Sequence, residues 1–264
     1  MIILKKVLED LYSGLTLKKP VESEDYEHNS KLATKQIKDI IQQRIDEGEN
    51  EISIEIGLKR GFDIINIHRL AAPLVEQWAN EVFEEELDNK DYDLVGVEVA
   101  SGRLDIVDVV LSFKPKDGIG FNAQVDVKAT ANDIKTSGKS PNITSYLKIR
   151  SAYVEDPNFM FVILSLKHSF YSDTKGDSIK QNLVVKEVNT YDLKGISSRD
   201  YTINPALGSG QLQIRDIHYV EESEYISTWD FCKILDYKFI SSKRNDKDRW
   251  LAYAEKNGWL KQNI

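Results

Sequence analysis

The sequence predicts an α/β (α+β) fold in which a mixed central sheet is flanked by helices. The chain has 264 residues and is 41% hydrophobic, enough to bury a sizeable core. Segments with helical periodicity and segments with strand periodicity both occur, without the regular βαβ order of a doubly wound fold. The sequence has no internal repeat, low-complexity tract or Pro/Gly-rich linker. We therefore expect a single domain spanning residues 1–264.

Helical spacing of apolar residues marks several segments. The first, residues 31–47, is amphipathic and ends at Gly48. The second runs from Ile64 to about Leu87, and Pro73 must either begin it or kink it. The remaining predicted helices are residues 143–154 and two terminal helices that start near Thr228 and Asp246.

Strand patterns fill most of the middle of the chain. Residues 109–113 and 121–129 alternate and are joined by KPKDGIG, a turn by composition, so they should form an antiparallel hairpin. The other predicted strands are residues 52–57, 94–100, 159–166 and 183–188. The last forty residues or so, about 222–264, form a helical C-terminal part, and about residues 1–70 are expected to be peripheral or to serve dimerisation.

Composition excludes several classes of protein. No window approaches eighteen consecutive apolar residues, so we expect no membrane span and a cytoplasmic protein. The single cysteine, Cys232, excludes a disulfide framework and is expected to be a buried core thiol. The net charge of −8 is uneven, because residues 1–100 carry 22 acidic and 12 basic residues. The rest of the chain is slightly basic, which permits an anionic ligand without requiring one.

The strongest chemical signal lies in the predicted hairpin. Asp126 and Lys128 fall on the same side of one strand, and Asp108 begins the preceding strand. Two carboxylates close together need a cation or a shared proton between them. Oxygen ligands of this kind suit Mg²⁺, and a neighbouring ammonium can hold an attacking water, so the set is suited to phosphodiester hydrolysis.

Other interpretations of these residues stay open. Asp126 and Lys128 could form a structural salt bridge, with Asp108 capping a strand. Asp105 competes with Asp108 for the role of first carboxylate, although it would face the opposite side of a strand.

The segment from Asp108 through the turn to Asp126-Val127-Lys128 resembles the PD-(D/E)xK core of type II restriction endonucleases. It is most similar to the blunt-cutting EcoRV and HincII branch, with an HpaI-like enzyme as one candidate, although Val107 stands where the name-giving proline would be. Segments at 140–143 and 203–213 are similar to base-reading stretches of that branch. The resemblance covers about residues 70–220.

The resemblance implies a catalytic mechanism. A water activated by Mg²⁺ would attack phosphorus, with Asp108, Asp126 and the Val127 carbonyl holding the metal and Lys128 orienting the water. A glutamate on an earlier helix would complete the site, and Glu76 fits by position.

Base reading requires short polar side chains on a pre-set backbone. Two segments, 136–142 and 204–213, are predicted to be loops with such side chains, although both could be ordinary connectors. The predicted DNA-binding residues are Thr136, Ser137, Gly138, Lys139, Ser140, Asn142, Asn204, Ser209, Gly210, Gln211 and Gln213.

The resemblance further implies a homodimer that cleaves double-stranded DNA within a short palindrome, paired in the cell with a methyltransferase that protects the same site. A structure-selective repair nuclease and a non-catalytic DNA-binding module remain the alternatives. The four histidines share no metal-ligand spacing and are expected to be structural or surface residues.

Overall fold

The computed structural model describes residues 2–55, 68–100, 106–132, 141–175, 178–205, 210–214 and 220–261. Contacts group the chain into two compact units. We call the unit built from residues 28–139 and 160–193 the sheet unit, and the unit built from residues 1–27, 140–159 and 194–264 the helical unit. A single domain over residues 1–264 stays a prediction.

The sheet unit is built around six strands in the order β1-β7-β6-β4-β3-β2. Strands β4 and β6 are parallel and all other neighbours are antiparallel, so the predicted mixed central sheet is confirmed. The predicted hairpin is also confirmed as β3 and β4. The strands are β1 (Glu51–Glu55), β2 (Leu94–Val99), β3 (Val109–Phe113), β4 (Phe121–Ala131), β6 (Phe161–Lys175) and β7 (Ser178–Asp192).

Two helices flank this sheet. Helix α2 (Tyr26–Glu47) is tied to β7 by a 2.7 Å hydrogen bond from Thr190 Oγ1 to the Thr34 carbonyl. Helix α3 (Ala71–Glu85) packs on β4 and β2. Pro73 lies in the first turn of α3, where its missing N–H breaks no intrahelical bond, so it begins this helix and does not kink it.

The helical unit combines four helices with a small sheet ordered β5-β9-β8. Its centre is a fully buried Arg150–Asp236 ion pair, to which the Tyr12 and Tyr146 hydroxyls donate hydrogen bonds of 2.8 and 2.6 Å. Its elements are α1 (Ile2–Tyr12), β5 (Asn142–Ser145), α4 (Tyr146–Glu155), β8 (Tyr201–Asn204), β9 (Gln211–Ile214), α5 (Thr228–Ser241) and α6 (Lys247–Lys256).

Two predictions about local structure were wrong, and one helix was missed. Residues 143–145 belong to β5, and the helix there begins only at Tyr146, with the Ser145 hydroxyl accepting from the Lys148 N–H as its cap. Part of the predicted loop at 204–213 is strand β9, because Leu212 and Ile214 are buried while Gln211 and Gln213 are not. Helix α1 was not predicted at all.

Burial agrees with one further expectation. Cys232 is completely buried, as predicted. In the part of the chain that the structure describes, every helix is too short or too polar to cross a bilayer.

Candidate active site

Asp108 lies directly before β3, at the point where the β3–β4 hairpin ends. The register runs to the pair Val109–Val125, and one residue later the Asp108 N–H donates to the Val125 carbonyl at 2.9 Å. The Asp108 carboxylate then reaches across to β4 and accepts a hydrogen bond from the Val127 N–H at 2.7 Å. This bond fixes the carboxylate beside the backbone that separates Asp126 from Lys128.

Asp126 and Lys128 form an ion pair, the alternative that stayed open for these residues in the sequence. Lys128 Nζ donates to Asp126 Oδ1 at 2.7 Å, and the Asp126 side chain is only 5% exposed. Burial raises the pKa of Asp126 to about 7, against the opposing effect of the Lys128 ammonium. A carboxyl with such a pKa is partly protonated near neutral pH. The Lys128 ammonium therefore offsets only part of the cost of burying the Asp126 carboxylate.

Asp126 has one uncompensated oxygen. Its Oδ2 is buried and accepts no hydrogen bond from any residue that the structure describes. Because a buried oxygen without a partner is costly, this atom fits a site that is completed by a cation. The sequence-level alternative, a self-contained salt bridge, accounts for Oδ1 but leaves Oδ2 unexplained.

Glu76, on the first half of α3, lies within electrostatic reach of the other three residues. Burial raises the pKa of Glu76, Asp108 raises it further, and Lys128 lowers it. The structure thus brings Glu76, Asp108, Asp126 and Lys128 into one neighbourhood, although their roles stay predictions. Asp105, the competing first carboxylate, lies outside the described residues.

The described part of the chain has no ready-made cage of three or more His, Cys, Asp or Glu ligands. The residues present here supply fewer ligands than such a cage. They suit Mg²⁺, which takes one or two carboxylates and fills its remaining positions with waters and substrate phosphate. The Val127 carbonyl is also well placed. In a strand the N–H and C=O of one residue point to the same side, and β3 has ended opposite Val127. The Val127 carbonyl therefore points to the side on which the Val127 N–H donates to Asp108.

Several predicted DNA-binding residues lie on the small sheet of the helical unit. Asn142 is on β5, Asn204 on β8, and Gln211 and Gln213 on β9. Gln213 Nε2 donates to Asn142 Oδ1 at 2.7 Å on the exposed side of the sheet. The other predicted residues at 136–140 and at Ser209 lie outside the described residues.

Gly210 has a structural reason to be glycine. Its φ is +89°, and a Cβ placed there would lie 2.8 Å from Ile203 Cγ2. The residue is buried, and its carbonyl accepts a 2.8 Å hydrogen bond from the Tyr146 N–H. The structure therefore describes a packing role for Gly210, and a DNA contact by it stays a prediction.

Sequence reasoning missed two relationships. His68 Nδ1 lies 3.1 Å from His168 Nε2, and their separation of a hundred residues gave no local signal. Thr202 shares a row of the small sheet with Gln213 and was not considered, although the alternation in Tyr201-Thr202-Ile203-Asn204 could have placed it on the exposed face.

The family assignment follows from comparison with known proteins. Residues 13–258 match the family model described as type II restriction endonuclease HpaI. The type II restriction enzyme HpaI of Haemophilus parainfluenzae is 44% identical over 257 residues, which cover 95% of this chain and 99% of that enzyme. The solved structure of the NlaIV restriction endonuclease covers 87% of this chain and 92% of its own, with 12% identity and a TM-score of 0.45. The chain belongs to the HpaI family of type II restriction endonucleases.

Proposed function

We propose that this protein binds Mg²⁺ and hydrolyses both strands of duplex DNA within a short palindrome, leaving blunt ends with 5′-phosphates. Membership of a type II restriction endonuclease family supports site-specific DNA cleavage. The observation that carries the metal assignment is the buried Asp126 Oδ2, which accepts no hydrogen bond from the described residues while Asp108 lies across the same hairpin.

The chain's own residues divide the work. Asp108, Asp126 and the Val127 carbonyl would hold the metal, and Glu76 adds negative charge that favours a cation at this point. When bound, Mg²⁺ polarises the phosphate and makes water a better nucleophile. Lys128 holds the attacking water and offsets the charge that develops on the phosphate oxygens.

The bond changes are those of an in-line hydrolysis. The water oxygen forms a bond to phosphorus, the bond from phosphorus to the 3′ oxygen breaks, and a proton passes from the water to the leaving 3′ oxygen. The products are a 5′-phosphate and a 3′-hydroxyl. The bond from Lys128 Nζ to Asp126 Oδ1 holds the ammonium beside the proposed metal ligands.

A palindromic DNA site presents the same bases in each half, so it requires a two-fold arrangement of the residues that contact them. We propose a homodimer in which each copy cuts one strand, because a two-fold protein matches the two-fold symmetry of the site. We further propose a cytoplasmic location and a companion methyltransferase that protects the host's own sites.

The test is a digest of phage DNA of known sequence with purified protein in Mg²⁺, in EDTA, and with the Lys128→Ala variant. We expect discrete bands in Mg²⁺ that disappear in EDTA and in the variant, with fragment ends that give the site and the cut position. Lys35→Ala, which breaks an exposed ion pair with Asp39 on α2, is the matched control and should cut normally. Smeared products would point to a structure-selective or non-specific nuclease, and binding without cleavage would point to a non-catalytic module.

A further inference from the structure

One face of the small β5-β9-β8 sheet consists of uncharged polar side chains. The strand register places Thr202, Gln213 and Asn142 side by side in one row. Directly opposed residues on neighbouring strands point to the same face, so all three side chains share it. Thr202 and Asn142 are exposed and Gln213 is half-buried, while Ile203 and Leu212 between the rows are buried.

A second row on the same face consists of Asn204 and Gln211, two residues along β8 and β9 from the first row. Ser145 pairs with Gln211 across a register irregularity of β5 between Asn142 and Ser145. The Ser145 hydroxyl is already used as the cap of α4, and the Gln211 amide, on the central strand β9, can serve a ligand. None of the six side chains is ionisable, which is unusual for a surface in a chain with 30% charged residues.

The Asn142–Gln213 hydrogen bond fixes which atoms of the first row can donate hydrogen bonds and which can accept them. Because Gln213 Nε2 donates to Asn142 Oδ1, the Asn142 amide is oriented with its N–H donors directed away from Gln213. Gln213 retains its Oε1 as an acceptor. Read across the strands, the row therefore presents a donor from Asn142, an acceptor from Gln213 and then the methyl group of Thr202.

That order matches three of the four groups on the major-groove edge of an A·T pair, and thymine O4 has no partner in the row. Adenine offers the N7 acceptor and the N6 donor, and thymine offers its C5-methyl group, which packs well against a threonine methyl. A G·C pair would place an acceptor, O6, where Gln213 also presents an acceptor, and would lack the methyl group.

The spacing of the two rows also fits duplex DNA. Alternate residues of a strand are about 6.6–6.8 Å apart, which is twice the base-pair rise of about 3.4 Å. A two-stranded β-ribbon is one of the two elements that the major groove admits, and β9 with either of its neighbours forms such a pair. Along β8 and β9 the separation of the two rows therefore corresponds to about two base-pair steps.

We propose that the row Thr202–Gln213–Asn142 reads one A·T pair as a unit, with Gln213 positioning the amide of Asn142 and Thr202 contacting the thymine methyl. This inference rests on the proposed sequence-specific cleavage. It adds Thr202 as a specificity-determining residue. It also makes Gln213 a positioning residue that acts through Asn142.

The test couples protein variants to base analogues. Cleavage rates are measured for the full-length enzyme in Mg²⁺ on duplexes that carry its site, with each thymine replaced in turn by uracil and each adenine by 7-deazaadenine. Thr202→Ser removes only the methyl group, and Gln213→Leu removes both the donor to Asn142 and the acceptor. Gln42→Leu, which removes an exposed hydrogen bond to Asp46 on α2, is the matched control.

At one thymine of the site, replacement by uracil should slow cleavage by the wild type. The same replacement should not slow cleavage by Thr202→Ser any further. At the paired adenine, 7-deazaadenine should slow the wild type about tenfold and Gln213→Leu much less, because a good base contact contributes a factor of this order. Equal unfolding midpoints of the variants and wild type exclude a folding defect as the cause.

Two other results overturn the inference in distinguishable ways. If every analogue slows the variants and the Gln42→Leu control by the same factor as the wild type, the row does not read bases, while the proposed function stands. If the wild type gives no discrete fragments on any DNA, both proposals fail together.

Discussion

The Asp108 carboxylate is held against the neighbouring strand by the Val127 backbone N–H, at 2.7 Å. This bond links the end of β3 to the Asp126-Val127-Lys128 segment without using a side chain of that segment. The geometry of the two carboxylates is therefore set by the hairpin itself, before any metal or DNA is present.

Asp108→Asn should lower cleavage while leaving the stability of the fold nearly unchanged. An amide oxygen can still accept from the Val127 N–H, so the unfolding midpoint should change little. The lost charge should lower cleavage by at least about 100-fold, because a metal site contributes several kcal/mol of charge stabilisation. Steady-state cleavage of a supercoiled plasmid is the measurement, with Asp39→Asn on α2 as the control. Near-normal cleavage by the variant would remove Asp108 from the site.

Asp126 should make the stability of the metal-free protein depend on pH. Its pKa is about 7 in the folded state, against about 4 in an unfolded chain. Between these values the folded protein binds more protons than the unfolded one, so the free energy of unfolding falls as pH rises from about 4 to 7.

The comparison that isolates this effect is wild type against Asp126→Asn in urea unfolding with EDTA. Other carboxyl groups titrate in both proteins, so the difference between the two curves reports Asp126. We expect the variant to gain stability relative to wild type as pH rises through this window, with no further gain above about pH 7. Parallel curves would show that Asp126 is not strained by its burial.

The Arg150–Asp236 pair should be a major determinant of the stability of the helical unit. Both side chains are fully buried, and Arg150→Met would leave the Asp236 carboxylate without its counter-charge. Losing one partner of a buried ion pair costs about 3–5 kcal/mol. Lys35→Met breaks an exposed ion pair with Asp39 on α2 that is worth only about 0.3–0.5 kcal/mol. Urea unfolding monitored by tryptophan fluorescence measures both, and equal effects would contradict the prediction.

Gly210→Ala should destabilise the small sheet. The left-handed φ and the 2.8 Å approach to Ile203 both oppose a Cβ, so we expect a loss of about 1–3 kcal/mol. Gly195 has open space around its Cα, and Gly195→Ala is the matched control. Thermal unfolding compares the two variants, and a similar melting temperature for both would show that the sheet adjusts around the added methyl group.

Much of the catalytic hairpin could be predicted from the sequence because its signals are local. The alternation of Val125, Asp126, Val127 and Lys128 fixes the facing of the charged pair, and the KPKDGIG turn fixes the hairpin. The position of Glu76 near the pair needed the resemblance, because helical spacing alone does not say which sheet edge a helix approaches.

Other features depend on contacts between distant segments. The parallel pairing of β4 with β6 joins residues about 37 apart, and Asn142 meets Gln213 across 71 residues. The QLQI strand was hidden because two of its four residues are glutamine, and β8 and β5 supply the pairing that makes it a strand.

The proposed catalytic residues and the row Thr202–Gln213–Asn142 belong to different compact units of the chain. Asp108, Asp126 and Lys128 fold with the six-stranded sheet, while Thr202, Gln213 and Asn142 fold with the Arg150–Asp236 core. Randomising these three positions would therefore leave intact the hydrophobic core of the unit that carries the proposed catalytic residues. For protein engineering, a combinatorial library at Thr202, Gln213 and Asn142 would show whether site preference can be altered while the proposed catalytic residues stay unchanged.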